Sequence, residues 1–474
     1  MNKYGRQEAN QRRNVNLVLL VVVACALGFI GGRISMMAQY PVLKEAAFRN
    51  LSYAYTEIMD NYLNGATSKA LVEGATEGMV ASLDDPYSVY LSGDKGEQYV
   101  QSYEDTFVGI GVEIREQDGE FIIENTIKDA PAEKAGLKSG DVFLSVDGKT
   151  AKGITLADLK QLVQGKEGST AKLMIRRQGM NEPLEVPVTR GAVPVHTVTF
   201  EMKEGQIGEI SITRFAEKTG DEFKEAVTKL QQLGMKSLLI DLRGNPGGLL
   251  TPTVEIANLF VPKGETILQV VYKDEKQVIT HKSEQKTPWK LPLAILVDDH
   301  TASSAEVLTA ALKTTANASV IGQKTFGKGI VQNFRQLKGG SVLKLTEAQW
   351  RSPDGQWIHK KGIEPTIAVE APSYTLLPRL PAGLLIKEGD YGDKVQTVQT
   401  MLSTLGYSAG AGNGIFDEGT AAAVKKFQRD EALPDNGAVN DRTAYRITAR
   451  LMEKYKKEDP QLRAALKALQ AEGK

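Results

Sequence analysis

The sequence predicts a multidomain chain of mixed α/β and α+β architecture: an α/β core, a β-rich insertion ahead of it, and a small three-helix module behind it. Three observations lead there. The chain has 474 residues, which suggests about three domains at ~150 residues each. Hydrophobic residues make up 41% and charged residues 24%, a globular balance that excludes a largely disordered chain. Short apolar strands alternate with helical stretches across 193–371, the pattern of a buried sheet with helices packed on it.

The N-terminal segment 1–13 carries Arg6, Arg12 and Arg13, and 14–32 is uncharged, with an apolar run from Leu17 to Ile30. Those nineteen uncharged residues would span roughly 28 Å as a helix, close to the ~30 Å hydrocarbon core of a bilayer. The arginines favour residues 1–13 staying in the cytoplasm, with the bulk of the chain across a membrane that it spans once. Signal-peptide cleavage near Ala24-Cys25-Ala26 and lipidation at Cys25 are the competing readings, and either would export the rest of the chain. Both cut inside an apolar run that continues to Ile30, where a cleavage region turns polar. The anchor is therefore preferred.

Residues 35–100 read as helical, with Val42, Ala46, Leu51, Tyr55, Ile58 and Tyr62 at mixed three and four spacing until Asp84-Asp85-Pro86-Tyr87 interrupts. Such an amphipathic lead packs on the core or on a second copy of the chain; a homodimer through the N- and C-terminal helical segments is left open. Over 101–192 the text changes to strands and turns: a strand over 107–114 with two glycines, then Ala130-Pro-Ala-Glu-Lys-Ala-Gly-Leu-Lys-Ser-Gly-Asp, a helix over 156–164 and a strand over 172–177. Glycine-rich strand, Ala-Gly-Leu-x-x-Gly-Asp turn and later helix, in that order, resemble a PDZ domain of the bacterial type. In such domains backbone N–H groups of the glycine loop hold a peptide's terminal carboxylate while the strand edge pairs with the peptide. The resemblance assigns that role to Val108, Gly109, Ile110 and Gly111.

The core at 193–371 has strands over 207–212, 237–242 and 293–297, and helices over 220–232, 252–259 and 304–315. Pro372, Pro378 and Pro381 punctuate a linker at 372–386. In 387–450 the order Gly392-Asp393, Leu402, Leu405-Gly-Tyr407, Gly414-Ile-Phe-Asp417, Phe427-Gln428 and Gly437 resembles the three-helix peptidoglycan-binding module of wall-active proteins. A charged, helix-prone tail at 451–474 shows no chemistry.

Whole-chain arithmetic narrows the function. Lys+Arg and Asp+Glu are 58 each, so bulk electrostatics argue against a nucleic-acid partner. Cys25 is the only cysteine, which excludes an intramolecular disulfide framework, and four histidines (His196, His281, His300 and His359) do not make a histidine-rich metal site. No cofactor and no metal are expected.

The chemistry concentrates in Asp298-Asp-His-Thr-Ala-Ser-Ser-Ala-Glu306 and Thr325-Phe-Gly-Lys-Gly-Ile-Val-Gln332. Ser303 follows an apolar strand and a turn and precedes a helix, where first-turn N–H groups face developing negative charge. Lys328 lies between two glycines; as a base it needs burial to lower its pKa from ~10.4 towards neutrality. Gln332 is an uncharged partner able to orient the amine. The turn Arg243-Gly-Asn-Pro-Gly-Gly248 can offer a backbone N–H to an oxyanion. Singly, Ser303 reads as a helix N-cap and Lys328 as a solvated loop residue. Glu306 reads as a first-turn helix carboxylate rather than an acid catalyst.

At these residues the chain resembles the carboxyl-terminal processing (tail-specific) proteases, over roughly 45–370. The resemblance implies a serine protease core with an inserted PDZ domain and a Ser-Lys dyad: Ser303 as nucleophile, Lys328 as base, Gln332 assisting, and the N–H groups of Gly248 and Ser304 as the oxyanion hole. The 25 residues from Ser303 to Lys328 agree with the family's spacing. One departure is Ser-Ser-Ala-Glu in place of the frequent Ser-Ala-Ser-Glu, which touches only the residues after the nucleophile. The expected function is an extracytoplasmic endopeptidase cutting exported proteins near their C-termini. Its partners are protein substrates held by their tails, the membrane and peptidoglycan. A Ser-His-Asp arrangement using His300 with Asp298 or Asp299 is the chemical alternative, although His300 sits only three residues from Ser303. A catalytically inactive PDZ and wall-binding scaffold is the functional alternative. A wall hydrolase finds no convincing carboxylate pair.

Overall fold

The computed structural model describes residues 3–39, 45–101, 103, 106–117, 119–381 and 383–472. Val42 of the expected helical lead, the junction residues 102, 104 and 105, and the chain ends 1–2 and 473–474 lie outside the described residues. The chain divides into two compact units, 1–92 and 93–474.

The first unit begins with the 37-residue helix Lys3–Gln39, whose Leu19, Leu20 and Phe29 side chains are exposed. Among the described residues it is the one helix long and apolar enough to cross a membrane. Helices Ala46–Asn61 and Ser68–Ala81 follow, the second capped by the Thr67 hydroxyl, which accepts from the Ala70 N–H. Asp85 accepts hydrogen bonds from the Tyr87 N–H and the Ser88 hydroxyl, so the interruption at 84–87 is an Asx turn rather than a helix.

In the second unit the β-rich insertion is a sheet of Val112–Gln117, Glu120–Thr126, Val142–Val146, Thr170–Arg176 and Leu184–Thr189, closed by helix Leu156–Val163. Ile110, Phe121, Ile123, Leu159, Leu173 and Ile175 form its core. The strand expected over 107–114 is two strands. Thr106–Gly109 pairs with Gly191–Pro194, and Val112–Gln117 pairs with Glu120–Thr126. Gly111 separates them with φ +77, a left-handed conformation costly for any residue with a Cβ. The first pairing joins the insertion's entry and exit.

The α/β core is a six-stranded sheet in the order Val198–Lys203, Ile207–Ile212, Ser237–Asp241, Leu293–Val297, Ser319–Gly322 and Ile367–Ala368. Only the first pair is antiparallel. Side chains alternate across a strand, so the apolar runs fill two cores. Leu238, Ile240, Ile295 and Val297 face helices Thr219–Gln232, Leu250–Ala257 and Ser304–Thr315, while Leu239, Ala294, Leu296 and Ile321 meet Ala465 and Leu469 of the final helix Pro460–Glu472. The helical tail is therefore a layer of the core sheet. A second, antiparallel sheet joins Thr266–Tyr272, Val278–Lys282, Ile330–Gln336 and Val342–Arg351.

The C-terminal module packs helices Asp393–Thr404, Glu418–Asp430 and Asp441–Glu458 around Leu402, Phe416, Val424, Phe427 and Ile447. Asp417 and Asn440 cap the second and third helices by accepting from Thr420 and Thr443 N–H.

Candidate active site

Three neighbouring parallel strands, Ser237–Asp241, Leu293–Val297 and Ser319–Gly322, send their C-terminal ends to one side of the sheet. Ligand and catalytic sites of open α/β sheets are built from such ends. The loops that follow carry Arg243–Gly248, Asp298–Ser303 and Gln323–Lys328.

Ser303 is half-buried and takes φ +56 and ψ −118 immediately before helix Ser304–Thr315. A non-glycine residue held there costs about 1–3 kcal/mol, so its surroundings must impose it. Three bonds do so. Ala302 N–H donates to Asn245 O (2.9 Å), the Thr301 hydroxyl to Leu242 O (2.9 Å), and Ser303 N–H to Glu306 Oε2 (2.8 Å). Asp298 anchors the same turn, accepting from N–H groups of Gly244, His300 and Thr301.

Gly247 lies against the serine. A Cβ there would come 2.8 Å from Ser303 Cβ and 2.9 Å from Ser304 N, and its φ is +98. Its N–H is taken by the Asn245 side chain (2.8 Å), and its carbonyl accepts from Phe215 N–H. Gly248 is equally fixed, since a Cβ would meet Phe215 O at 2.1 Å. The Ser304 hydroxyl donates to Gly248 O (2.9 Å). Among the described residues the N–H groups of Gly248 and Ser304 meet no acceptor.

The lysine loop is held with the same completeness. Lys328 N–H donates to Glu306 Oε2 (2.8 Å) and Gly327 N–H to Glu306 Oε1 (2.7 Å). The Trp350 indole donates to Lys328 O (2.9 Å), the Trp357 indole to Gly329 O (2.7 Å), and Lys360 N–H to Gly327 O (2.8 Å). Added Cβ atoms at Gly327 and Gly329 would sit 2.7 Å from Gly362 N and 2.6 Å from His359 N, so the flanking glycines are steric necessities. Lys328 itself is half-buried. Gln332 lies in strand Ile330–Gln336, where the register with Val342–Arg351 shifts between Val331 and Gln332.

Glu306 is what the residue-by-residue reading underrated. It is fully buried, and the Thr325 hydroxyl adds a fourth donor at 2.5 Å from Oε1. One carboxylate thus ties the backbone of Ser303 to that of Gly327 and Lys328. Burial pushes its carboxyl above the usual range, while the Thr325 hydroxyl and the N–H groups of Lys328, Gly327 and Ser303 pull the other way. The Ser-x-x-Glu spacing of a capping box was the available signal, but it points only to the Ser303 end.

His300 is turned to solvent, 74% exposed, with Nδ1 2.7 Å from Asp299 Oδ1. Asp298, Asp299 and His300 bring candidate metal-ligating atoms within 4.8 Å of one another, but Asp298 is already engaged by the turn.

In the β-rich insertion a groove of about 320 Å³ runs between the strand edge at Gly109, Ile110, Gly111 and Val112 and the helix face at Lys160 and Val163. The expected Val108 does not line it; Val112 does. Val108 pairs instead with Ala192.

Comparison with known proteins follows these divisions. Residues 206–369 match peptidase family S41, 108–188 match a PDZ domain, 35–95 match the N-terminal domain of the activating protease CtpB, and 391–447 match a putative peptidoglycan binding domain. The chain is 39% identical over 459 residues to the carboxy-terminal processing protease CtpA of Bacillus subtilis (strain 168), covering 96% of this chain and 98% of that one. It is 37% identical to a probable CtpA-like serine protease of Staphylococcus haemolyticus, covering 87% and 82% of the two chains. A photosystem II D1 C-terminal processing protease structure aligns with 27% identity and a TM-score of 0.42, over 69% of this chain and 89% of that one.

Proposed function

The chain belongs to the carboxy-terminal processing serine proteases of peptidase family S41, and from that premise we propose that it is a membrane-anchored, extracytoplasmic endopeptidase working through a Ser303-Lys328 dyad. The observation that carries the reading is the shared Glu306 carboxylate, which fixes the backbone of the serine against the backbone of the lysine.

Neutral Lys328 takes the proton from Ser303 Oγ as that oxygen attacks the scissile carbonyl carbon. Negative charge then gathers on the carbonyl oxygen, and the N–H groups of Gly248 and Ser304 receive it. Collapse of the tetrahedral adduct breaks the C–N bond, and the Lys328 ammonium gives its proton to the departing amine. In the second half Lys328 takes a proton from water as the water attacks the acyl ester, then returns a proton to Ser303 Oγ. Gln332 orients the amine without the charge that a carboxylate would bring.

Tail capture belongs to the PDZ groove: the N–H groups around Gly109 to Gly111 hold the substrate's terminal carboxylate, and the apolar lining takes its last side chain. Helix Lys3–Gln39 anchors the protease in the membrane, with its catalytic part outside the cytoplasm. The C-terminal module brings it to peptidoglycan.

The test is covalent labelling with a serine-reactive acylating probe, together with cleavage of a peptide carrying either a free or an amidated C-terminus. Labelling should vanish in Ser303→Ala, and turnover should fall about 10⁴-fold in Lys328→Arg, since arginine keeps the charge but does not give up its proton. Amidation should depress cleavage by removing the captured charge. An active Lys328→Arg beside an inactive His300→Ala would replace the dyad by the histidine arrangement. Loss of labelling without any loss of cleavage would move the nucleophile elsewhere.

A further inference from the structure

Arg243 stands one residue ahead of the turn that backs onto Ser303, and its guanidinium is gripped from both edges. On one side Asp241, at the end of its own strand, accepts from Nε (3.0 Å) and Nη2 (2.7 Å). On the other, Nη1 reaches the C-terminal helices, donating to both oxygens of Asp459 (3.0 and 2.8 Å), to Tyr455 Oη (3.0 Å) and to Gln461 Oε1 (3.2 Å). Asp459 lies 216 residues along the chain from Arg243 and is 5% exposed. Burial works against the guanidinium's charge, and the hydrogen bonds and charge of Asp241 with the charge of Asp459 more than restore it.

The position of Asp459 matters as much as its charge. It joins helix Asp441–Glu458, whose Thr443, Ala444, Ile447 and Leu451 are buried in the C-terminal module, to helix Pro460–Glu472, which covers the core sheet. Its Oδ1 also caps the final helix by accepting from Leu462 N–H (2.9 Å). An 18-residue helix is about 27 Å long, so one rigid element leads from the module's core to the arginine beside the catalytic turn.

A planar cation clamped between two carboxylates has a single orientation. Losing Asp459 leaves a buried guanidinium still held by Asp241 on one edge but without its charged partner on the other, and the backbone that carries it continues directly into Gly244–Gly248. We propose that Asp459 is a positioning residue for proteolysis, acting through Arg243 on the turn that presents the Gly248 N–H. The last helices are then part of the catalytic apparatus and not merely a tether for the module. This inference rests on the reading of that turn as an oxyanion loop.

The experiment uses the full-length protein in detergent and compares Asp459→Asn, Arg243→Lys and the double variant in peptide cleavage, probe acylation and thermal unfolding. Asparagine keeps the shape and the helix cap while removing the charge. The expected result for Asp459→Asn is a kcat about 10- to 100-fold lower, a part of what deletion of an oxyanion donor costs. KM should stay within about twofold, and acylation should slow by the same factor as kcat, because a turn that is displaced affects the transition state more than binding. The double variant should be no worse than the poorer single one, as for two members of one unit. Unchanged kcat with a lowered Tm would overturn the proposal and leave Asp459 a structural ion pair. Multiplied losses in the double variant would also overturn it. Should Asp459→Asn not fold, Tyr455→Phe removes one bond to the same Nη1, and unchanged kcat there is equally fatal. Ser303→Ala separates the two readings. If it still cleaves, the catalytic assignment fails; if it is dead while Asp459→Asn is fully active, only the positioning role fails.

Discussion

Replacing Glu306 by glutamine is the sharpest single test of how the Ser303 turn and the Lys328 loop are held together. The carboxylate accepts from Ser303 N–H, Lys328 N–H, Gly327 N–H and the Thr325 hydroxyl, two donors on each oxygen. Glutamine keeps one of those oxygens and turns the other into an NH₂ group that faces two donors. Hydrogen bonds to a charged group are worth about 1.5–3 kcal/mol each, so losing two costs about 3–6 kcal/mol before relaxation. Removing a buried charge gives some of that back, and about 3–4 kcal/mol is left to appear as displaced backbone around Ser303 or Lys328. If that loss falls on the transition state, kcat drops about 10²- to 10³-fold. The assay is steady-state cleavage of a free-acid peptide, with probe acylation and thermal unfolding measured on the same preparations. KM should change little, because Glu306 lies in the core site and the proposed tail-binding groove lies in the β-rich insertion. Glu306→Asp keeps the charge but is one methylene short of spanning both loops, so it should fall between wild type and Glu306→Gln. A Glu306→Gln enzyme whose kcat stays within threefold of wild type would refute the clamp.

Gly247→Ala puts a methyl group 2.8 Å from Ser303 Cβ at φ +98 and should reduce kcat by about 10²-fold or more, read as lost probe acylation in folded protein. Gly111→Ala would set a Cβ 2.3 Å from Ala130 Cβ, so the free-acid peptide's advantage over its amide should disappear while cleavage of the amide stays constant. Asp147 is held below the usual carboxylate range by the Lys172 N–H and then by Arg190, with burial opposing. A depressed folded pKa makes its stabilisation complete above the unfolded value of ~3.9 and loses it as pH falls through the folded value. The gap in unfolding temperature between wild type and Asp147→Asn should therefore be constant above about pH 5 and close on acidification; a gap that persists in strong acid would reject the sign.

How much of this was legible in the sequence depends on how locally each feature is encoded. The strands over 207–212, 237–241 and 293–297 announce themselves as apolar runs because both faces of their sheet are covered. Strand Ile330–Gln336 does not, because it is exposed over most of its length and reads as a polar loop. The strand over 107–114 was broken by one glycine whose φ no periodicity reveals. Within the site, the serine, the lysine and the glycine turn carry composition signals of their own. Their connections do not. Glu306 meets Gly327 and Lys328 from 21 and 22 residues away, and Asp459 meets Arg243 from 216. The first meeting is made by the order of strands in the sheet and the second by the final helix packing on its face, and the sequence pattern left both unspecified.

The same geometry bears on which group takes the serine's proton. A carboxylate offers about four lone-pair sites, and at Glu306 four donors occupy them, so this acid has no acceptor site to spare for a hydroxyl proton. Asp298 is spent in the same way on the turn that carries Ser303. His300 does pair with Asp299, one of the two carboxylates considered for a triad, but its ring lies 74% exposed to solvent. The proposed dyad takes its base from the lysine loop, where every backbone group of Gly327 and Lys328 is engaged by hydrogen bonds. A fixed backbone fixes the point from which the amine has to reach Ser303 in both halves of the proposed reaction. The acidic residues around the serine then act as fasteners. Replacing any of them should lower the rate through lost alignment and leave the identity of the base unchanged, whereas on the proposed dyad replacing Lys328 should remove the proton acceptor itself.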